Sequence, residues 1–184
     1  MFLVGEAYYH AGLKNNQGEF FRQSANMYEN DILALKLSDI QKAEASYMLG
    51  LNYQKLGEYL KAVEAFENAI AIETDPNNAN ARNLHWLWLL VADCYEKLKV
   101  EGEVDASDAD TVIEAAYQDV VANFSSGGNL ERALMRLGEI NMEKHKYATA
   151  CAYFQWLLNE TDSNDPHIAD INCIVARYRS TTDE

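Results

Sequence analysis

Between Ala43 and Pro76 the chain reads AEASYMLGLNYQKLGEYLKAVEAFENAIAIETDP, and its small and aromatic residues keep the spacing of two closely packed helices. Gly50 and Ala62 remove bulk where antiparallel helices must approach, while Tyr53, Tyr59 and Phe66 supply the volume that fills the seam. Gly57 supplies the residue that breaks the first helix and turns the chain, because glycine alone enters the left-handed region without a steric cost. Little period-two alternation competes with this pattern, and the chain has only two prolines, each following an Asp at a helix boundary.

The pattern recurs. Val4-Gly5-x-x-Tyr8-x-x-x-Gly12 carries it near the start, Trp88-x-x-Val91-Ala92-x-x-Tyr95 carries it again, and Leu137-Gly138 opens a further unit followed by Tyr147, Ala150, Phe154 and Leu157. The second helices of the first and third units are looser, with Ser24 and Tyr28, and then Ile113, Tyr117 and Val120, as the aligned residues. On these residues the chain resembles the tetratricopeptide repeat family. Leu49, Gly50, Tyr53, Gly57, Tyr59, Ala62, Phe66 and Ala69 meet that family's positions 7, 8, 11, 15, 17, 20, 24 and 27. The anchors Gly5, Gly50, Ala92 and Gly138 lie 45, 42 and 46 residues apart, against a family period of about 34. The excess is assigned to turn insertions around Lys14–Glu19 and Lys99–Asp108 and to a longer second helix in the second unit.

The resemblance implies an all-α fold: a right-handed α-solenoid of about four antiparallel helix pairs and a closing helix. The pairs are read at residues 1–37, 39–75, 77–124 and 129–160, and the closing helix at 166–179 after Asp165-Pro166. Stacked repeats share one continuous core, so residues 1–184 are read as a single array. Phe2 already lies inside a helix with no capping residue ahead of it, which points to a piece of a longer repeat protein.

A net charge of −14, with no dense run among the 15 basic residues, argues against nucleic acid and anionic membranes as partners. No apolar run approaches the roughly 20 residues needed to span a bilayer. The acidity reads chiefly as a solvated exterior, and only secondarily as a field for a basic partner. The segment Glu101–Asp110 is dense in acids, but from Asp105 a calcium loop would need Gly at 110 and Glu at 116, where Asp and Ala stand. It reads instead as a mobile, self-repelling loop that charges the start of the next helix. Neither compartment, bacterial periplasm or cytoplasm, is selected.

No spacing points to a metal, a cofactor or a catalytic group. Cys94 and Cys151 occupy small-residue helix positions and read, with Cys173, as reduced and mostly buried thiols. His10, His85, His145 and His167 are scattered, and zinc-protease, phosphate-loop and nucleophile-elbow motifs are missing from the sequence. The chain is read as non-catalytic.

In the family the first helices line a concave face, chiefly through positions 2, 5, 9, 12 and 13. Carried over, these give Phe2, Glu6, Tyr9 and His10, then Glu44, Tyr47, Leu51, Gln54 and Lys55. Trp86, Leu89, Asp93, Glu96 and Lys97 follow, with Arg132, Met135, Glu139, Met142 and Glu143 in the last unit. The candidate partner-binding set drawn from them is Glu6, Tyr9, Tyr47, Leu51, Gln54, Trp86, Leu89, Asp93, Arg132, Met135, Arg136 and Glu139. Aromatic residues, Met and Arg anchor interfaces, and such a groove accepts an extended peptide or an amphipathic helix. The competing account is that the apolar members pack against neighbouring repeats. Trp156, on a second helix, reads as core. Arg132 and Arg136 match one pair of the chaperone-tail carboxylate clamp known in the family, but Tyr47, Leu51 and Leu90 stand where the clamp needs Lys and Asn.

The chain therefore reads as a scaffold that binds a protein or peptide partner, with self-association through its end seams also open. A regulatory module beside an enzyme domain and a structural spacer are the alternatives. A narrower resemblance joins Val4–Tyr9, and Tyr117–Phe124 leading into Ala133–Gly138, to bacterial envelope proteins such as the Tol–Pal system coordinator and outer-membrane assembly lipoproteins. Phe124-Ser-Ser-Gly-Gly-Asn departs from the Pro-Asn-Ser turn expected there.

Overall fold

The computed structural model describes residues 1–73 and 85–161. Regular structure among them is entirely helical: α1 (Phe2–Asn15), α2 (Gly18–Asn26), a π-helical turn (Met27–Ile32), α3 (Asp39–Leu56) and α4 (Tyr59–Glu73) come first. Then follow α5 (Leu87–Glu101), α6 (Ala106–Asn123), α7 (Gly128–Glu143) and α8 (Tyr147–Glu160). The expected closing helix, with His167 and Cys173, lies outside the described residues. Two compact units are distinguished, Met1–Ile113 and Glu114–Glu184.

In the first unit, each small residue meets a ring. A Cβ built on Gly50 would stand 2.5 Å from Phe66 Cε1, and one on Gly5 would stand 2.8 Å from Tyr28 Cε2. At Gly12 the same atom would lie 2.7 Å from Phe21 Cε1. As contacts advance along α1 from Gly5 to Gly12 they retreat from Tyr28 to Phe21, so the two segments run antiparallel. Gly50 on Phe66, with Lys61 Nζ 5.1 Å from the Tyr53 ring, gives the same sense to α3 and α4. The core of this unit gathers Ala25, Tyr28, Ile32, Ala45, Tyr53, Phe66, Ile70, Leu87 and Val91 among others.

Local chemistry sets the ends. Ser38 caps α3 reciprocally: its Oγ accepts from Gln41 N–H at 3.4 Å, and Gln41 Oε1 accepts from Ser38 N–H at 3.1 Å. Gly57 closes α3 at φ 77°, with Glu58 N–H donating to Tyr53 C=O at 2.9 Å and Gly57 N–H to Gln54 C=O at 3.3 Å. Gly102 repeats this arrangement after α5.

The extra length of the first repeat is not a turn insertion at Lys14–Glu19. Only Asn16 and Gln17 separate α1 from α2, with Asn16 left-handed at φ 50°. The additional residues fall in the π turn, closed by Leu33 N–H donating to Tyr28 C=O at 3.0 Å, and in the connection from Leu33 to Ser38. Nor is Glu101–Asp110 a loop throughout: only Gly102–Asp105 connect α5 to α6, and the rest is helix. Asp105 Oδ1 accepts from Ser107 N–H at 2.8 Å and Asp108 N–H at 3.3 Å, starting α6 at Ala106, and Asp110 pairs with Lys99 at 2.5 Å. Charge at the helix start is held by capping and an ion pair, so self-repulsion does not open the segment.

In the second unit, Gly138 faces Phe154 and His145 faces Tyr147, so α7 and α8 are antiparallel. Leu130, Leu134, Ala150, Cys151, Phe154 and Leu157 form the core, with Val121 and Phe124 against it. Trp156, read as core, is 39% exposed. Phe154 and Leu157, on either side of it in the sequence, turn into the core and leave Trp156 on the outer side of α8, and the slot at Gly138 on α7 is already filled by Phe154. No described helix is long and apolar enough to cross a membrane.

Candidate partner-binding face

The first helices of the first unit run parallel, in a register shorter than the 45- and 42-residue spacings of the anchor residues and longer than the family's period of about 34. Tyr47 meets Trp86 edge-to-face, centroids 5.4 Å apart at 77°, and Gln54 Nε2 donates to Cys94 Sγ at 3.8 Å. Those contacts join α3 to α5 at offsets of 39 and 40 residues. Burial, and then the neighbouring Tyr47 phenol, raise Tyr9 on α1 above its ordinary value, which pairs α1 with α3 at an offset of 38. Tyr9, Tyr47 and Trp86 thus come into line across three helices.

The candidate residues differ in what they offer along this line. Tyr9 and Leu89 are buried, Leu89 to 3% exposure, so the interior claims both and leaves little of either for a partner. Tyr47, Leu51 and Trp86 are half-buried and pack on the edge of the core. Tyr47 also tilts against Phe66, centroids 6.4 Å apart. These three therefore serve the seam between helices and show their remaining surface outward. Gln54 spends its amide on Cys94, while Glu6 and Asp93 are partly exposed. Burial pushes the Cys94 thiol up to about 12, and neighbouring Asp93 adds to it, so Cys94 stays protonated and unreactive.

In the second unit Arg136 pairs with Glu139 one turn along α7, so its charge is already answered within the helix. Arg132 is exposed and Met135 half-buried beside the core. Cys151 is a buried thiol. Among the described residues no group of three or more His, Cys, Asp or Glu side chains is arranged to hold a metal ion.

One group escaped the sequence reading. Tyr28, in the π turn, is fully buried, and its hydroxyl has no hydrogen-bond partner. Leaving such a group unsatisfied costs about 1–3 kcal/mol. Burial, and then the nearby carboxylates of Glu6 and Glu44, hold the phenol well above its ordinary range. Phe2 stands edge-on to its ring, centroids 6.0 Å apart at 74°. The sequence did carry a signal. The rings that fill the glycine slots of α3 and α7 are Phe66 and Phe154, whereas the slot at Gly5 takes a tyrosine.

A family model described as Tetratricopeptide repeat matches residues 43–76, which take in α3 from its second turn and the whole of α4. Comparison with curated proteins finds no match.

Proposed function

The chain carries a tetratricopeptide repeat at residues 43–76, and on that premise we propose that it is a non-catalytic protein–protein interaction module. Its first unit receives a peptide or helix of a partner on the face formed by α1, α3 and α5. The observation that carries this reading is the Tyr47–Trp86 pair. Two large rings, each half-buried and held edge-to-face, present apolar surface whose rotamers are already fixed, so a partner orders little on docking. Leu51 extends that surface, and Glu6 and Asp93 supply a polar rim. Arg132 and Met135 offer the second unit a smaller contact of the same kind.

The spacer alternative draws on the same residues, because packing against the core also accounts for Tyr47 and Trp86. Affinity capture separates the two. The intact chain is compared with a Tyr47→Ala/Trp86→Ala variant whose helicity by circular dichroism matches the parent. Partners retained by the parent and lost by the variant support the docking face. Identical retention, or none by either, moves the function to a spacer.

A further inference from the structure

We propose that the cleft between the start of α3 and the end of α4 is a carboxylate site. It takes the acidic side chain of a Glu or Asp on a partner segment, whose neighbouring aliphatic residue lies on the cleft's apolar wall. The cleft shares only α3 with the Tyr47–Trp86 face and does not depend on it. Its volume is about 450 Å³, and Leu33, Lys42, Ser46, Asn68, Ala71 and Ile72 line it, a few polar groups among apolar ones as in other ligand sites. Helix spacing accounts for the assembly. Lys42 and Ser46 lie one turn apart on α3, while Asn68, Ala71 and Ile72 share one stripe of α4. Antiparallel pairing sets the start of the one helix beside the end of the other, and Leu33, just after the π turn, supplies the third wall.

Three donors border this space with capacity to spare. Ser46 is 5% exposed, yet its hydroxyl makes no hydrogen bond among the described residues. Unlike Tyr28, sealed among packed side chains, it borders open volume. Lys42 carries three N–H donors, and Asp39 Oδ1 takes one of them at 3.1 Å, leaving two. That pair is exposed on both sides, so sharing the ammonium with a second carboxylate costs little. The Asn68 carboxamide is exposed and unbonded among the described residues. A carboxylate has lone pairs enough to accept from all three groups at once, and its charge strengthens each bond. The lining holds no acid, although the chain carries 29 acidic residues against 15 basic ones. Among the described residues Lys42 is thus the one charged group on the cleft wall, against the sign of the molecule as a whole. Leu33, Ala71 and Ile72 set methyl groups beside the donors, which favours an acid with aliphatic neighbours over a free anion.

The test titrates the full chain, labelled with nitrogen-15, with the peptide acetyl-Gly-Leu-Glu-Leu-Gly-amide and with its Gln counterpart. The Ser46 backbone amide and the Asn68 side-chain amide are followed by NMR. The Glu peptide is expected to shift both signals and to bind about fivefold or more tightly than the Gln peptide, which lacks the charge. Lys42→Met should weaken the Glu peptide about fivefold and change the Gln peptide less than about twofold. Ser46→Ala should weaken the Glu peptide about threefold while thermal stability holds or rises, since the hydroxyl removed had no partner to lose. Affinity that falls without a loss of stability is a result that a purely structural serine would not give. Lys61→Met, near the other end of α4, removes as much charge and should change affinity less than about twofold.

Equal binding of the Glu and Gln peptides overturns the site, as do parental affinity in both Lys42→Met and Ser46→Ala, an equal loss in Lys61→Met, or no binding to the parent. Acetate that shifts the same signals as strongly at the same concentration also overturns it, by giving the cleft to a free anion rather than a partner segment. Those results leave the docking face standing wherever Tyr47→Ala/Trp86→Ala still loses captured partners. If that variant keeps every partner while the Glu peptide depends on Lys42 and Ser46, the carboxylate site stands and the wider docking face falls.

Discussion

A single methyl group decides how closely α3 and α4 lie. At Gly50 it would stand 2.5 Å from Phe66 Cε1, and the ring is fully buried with no slack. Alanine favours helix over glycine by about 1 kcal/mol, but overpacking a filled core costs about 1–3 kcal/mol. Gly50→Ala is therefore expected to lower stability by about 1 kcal/mol, read from urea denaturation. Phe66→Leu costs stability alone, yet the double variant should lose less than the two separate losses combined, because the smaller side chain makes room for the methyl. Contacts of this sort were legible in the sequence, since glycine and an aromatic residue at matched spacing have few other uses. Burial of Leu89 and exposure of Trp156 were not, because each depends on which side of its helix a neighbour covers. Tyr28 was aligned correctly, and a tyrosine where the other glycine slots take phenylalanine was visible, but the hydroxyl's lack of a partner is a property of its surroundings.

Capping carries the argument at the level of the helix. Ser38 and Gln41 satisfy each other's backbone donors at the start of α3, so Ser38→Ala should cost about 1 kcal/mol. Thermal unfolding followed at 222 nm would show it, and Ser38→Asp should recover most of the loss, since Asp accepts the same bond beside the positive end of the helix. Gly57 announced the end of α3 in the sequence, and the structure gives it φ 77°. The π turn at Met27–Ile32 was invisible because its hydrogen bonds run between backbone groups common to every residue. Spacing alone revealed surplus length in the first repeat and assigned it to the wrong turn. Asn16 explains why: an Asn in the left-handed region closes a two-residue turn without glycine.

Taken over the whole molecule, the ionisable groups that the fold perturbs point one way. Burial raises Tyr9, Tyr28, Tyr47, Tyr95 and Tyr153, and Tyr53, buried and bonded to Glu29, is pushed up to about 12. Each such group binds its proton more tightly folded than unfolded. Its contribution is complete below the ordinary tyrosine value near 10 and is lost as pH rises through the folded value. Stability should therefore fall steeply between about pH 10 and 12. Phenolate absorbance at 295 nm should rise together with loss of helix; tyrosines titrating freely well before unfolding would contradict this. The all-helical architecture and the repeat at 43–76 were both readable in the sequence. Position 8 to position 24 contacts survive insertions that destroy a regular period.

The edge-to-face contact of Tyr47 with Trp86 also makes this molecule its own optical probe. At 5.4 Å between centroids, light absorbed by Tyr47 passes to Trp86, whose emission colour follows how much water reaches the ring. Anything settling on that ledge excludes water and shifts the emission, without a label and without disturbing the surface being watched.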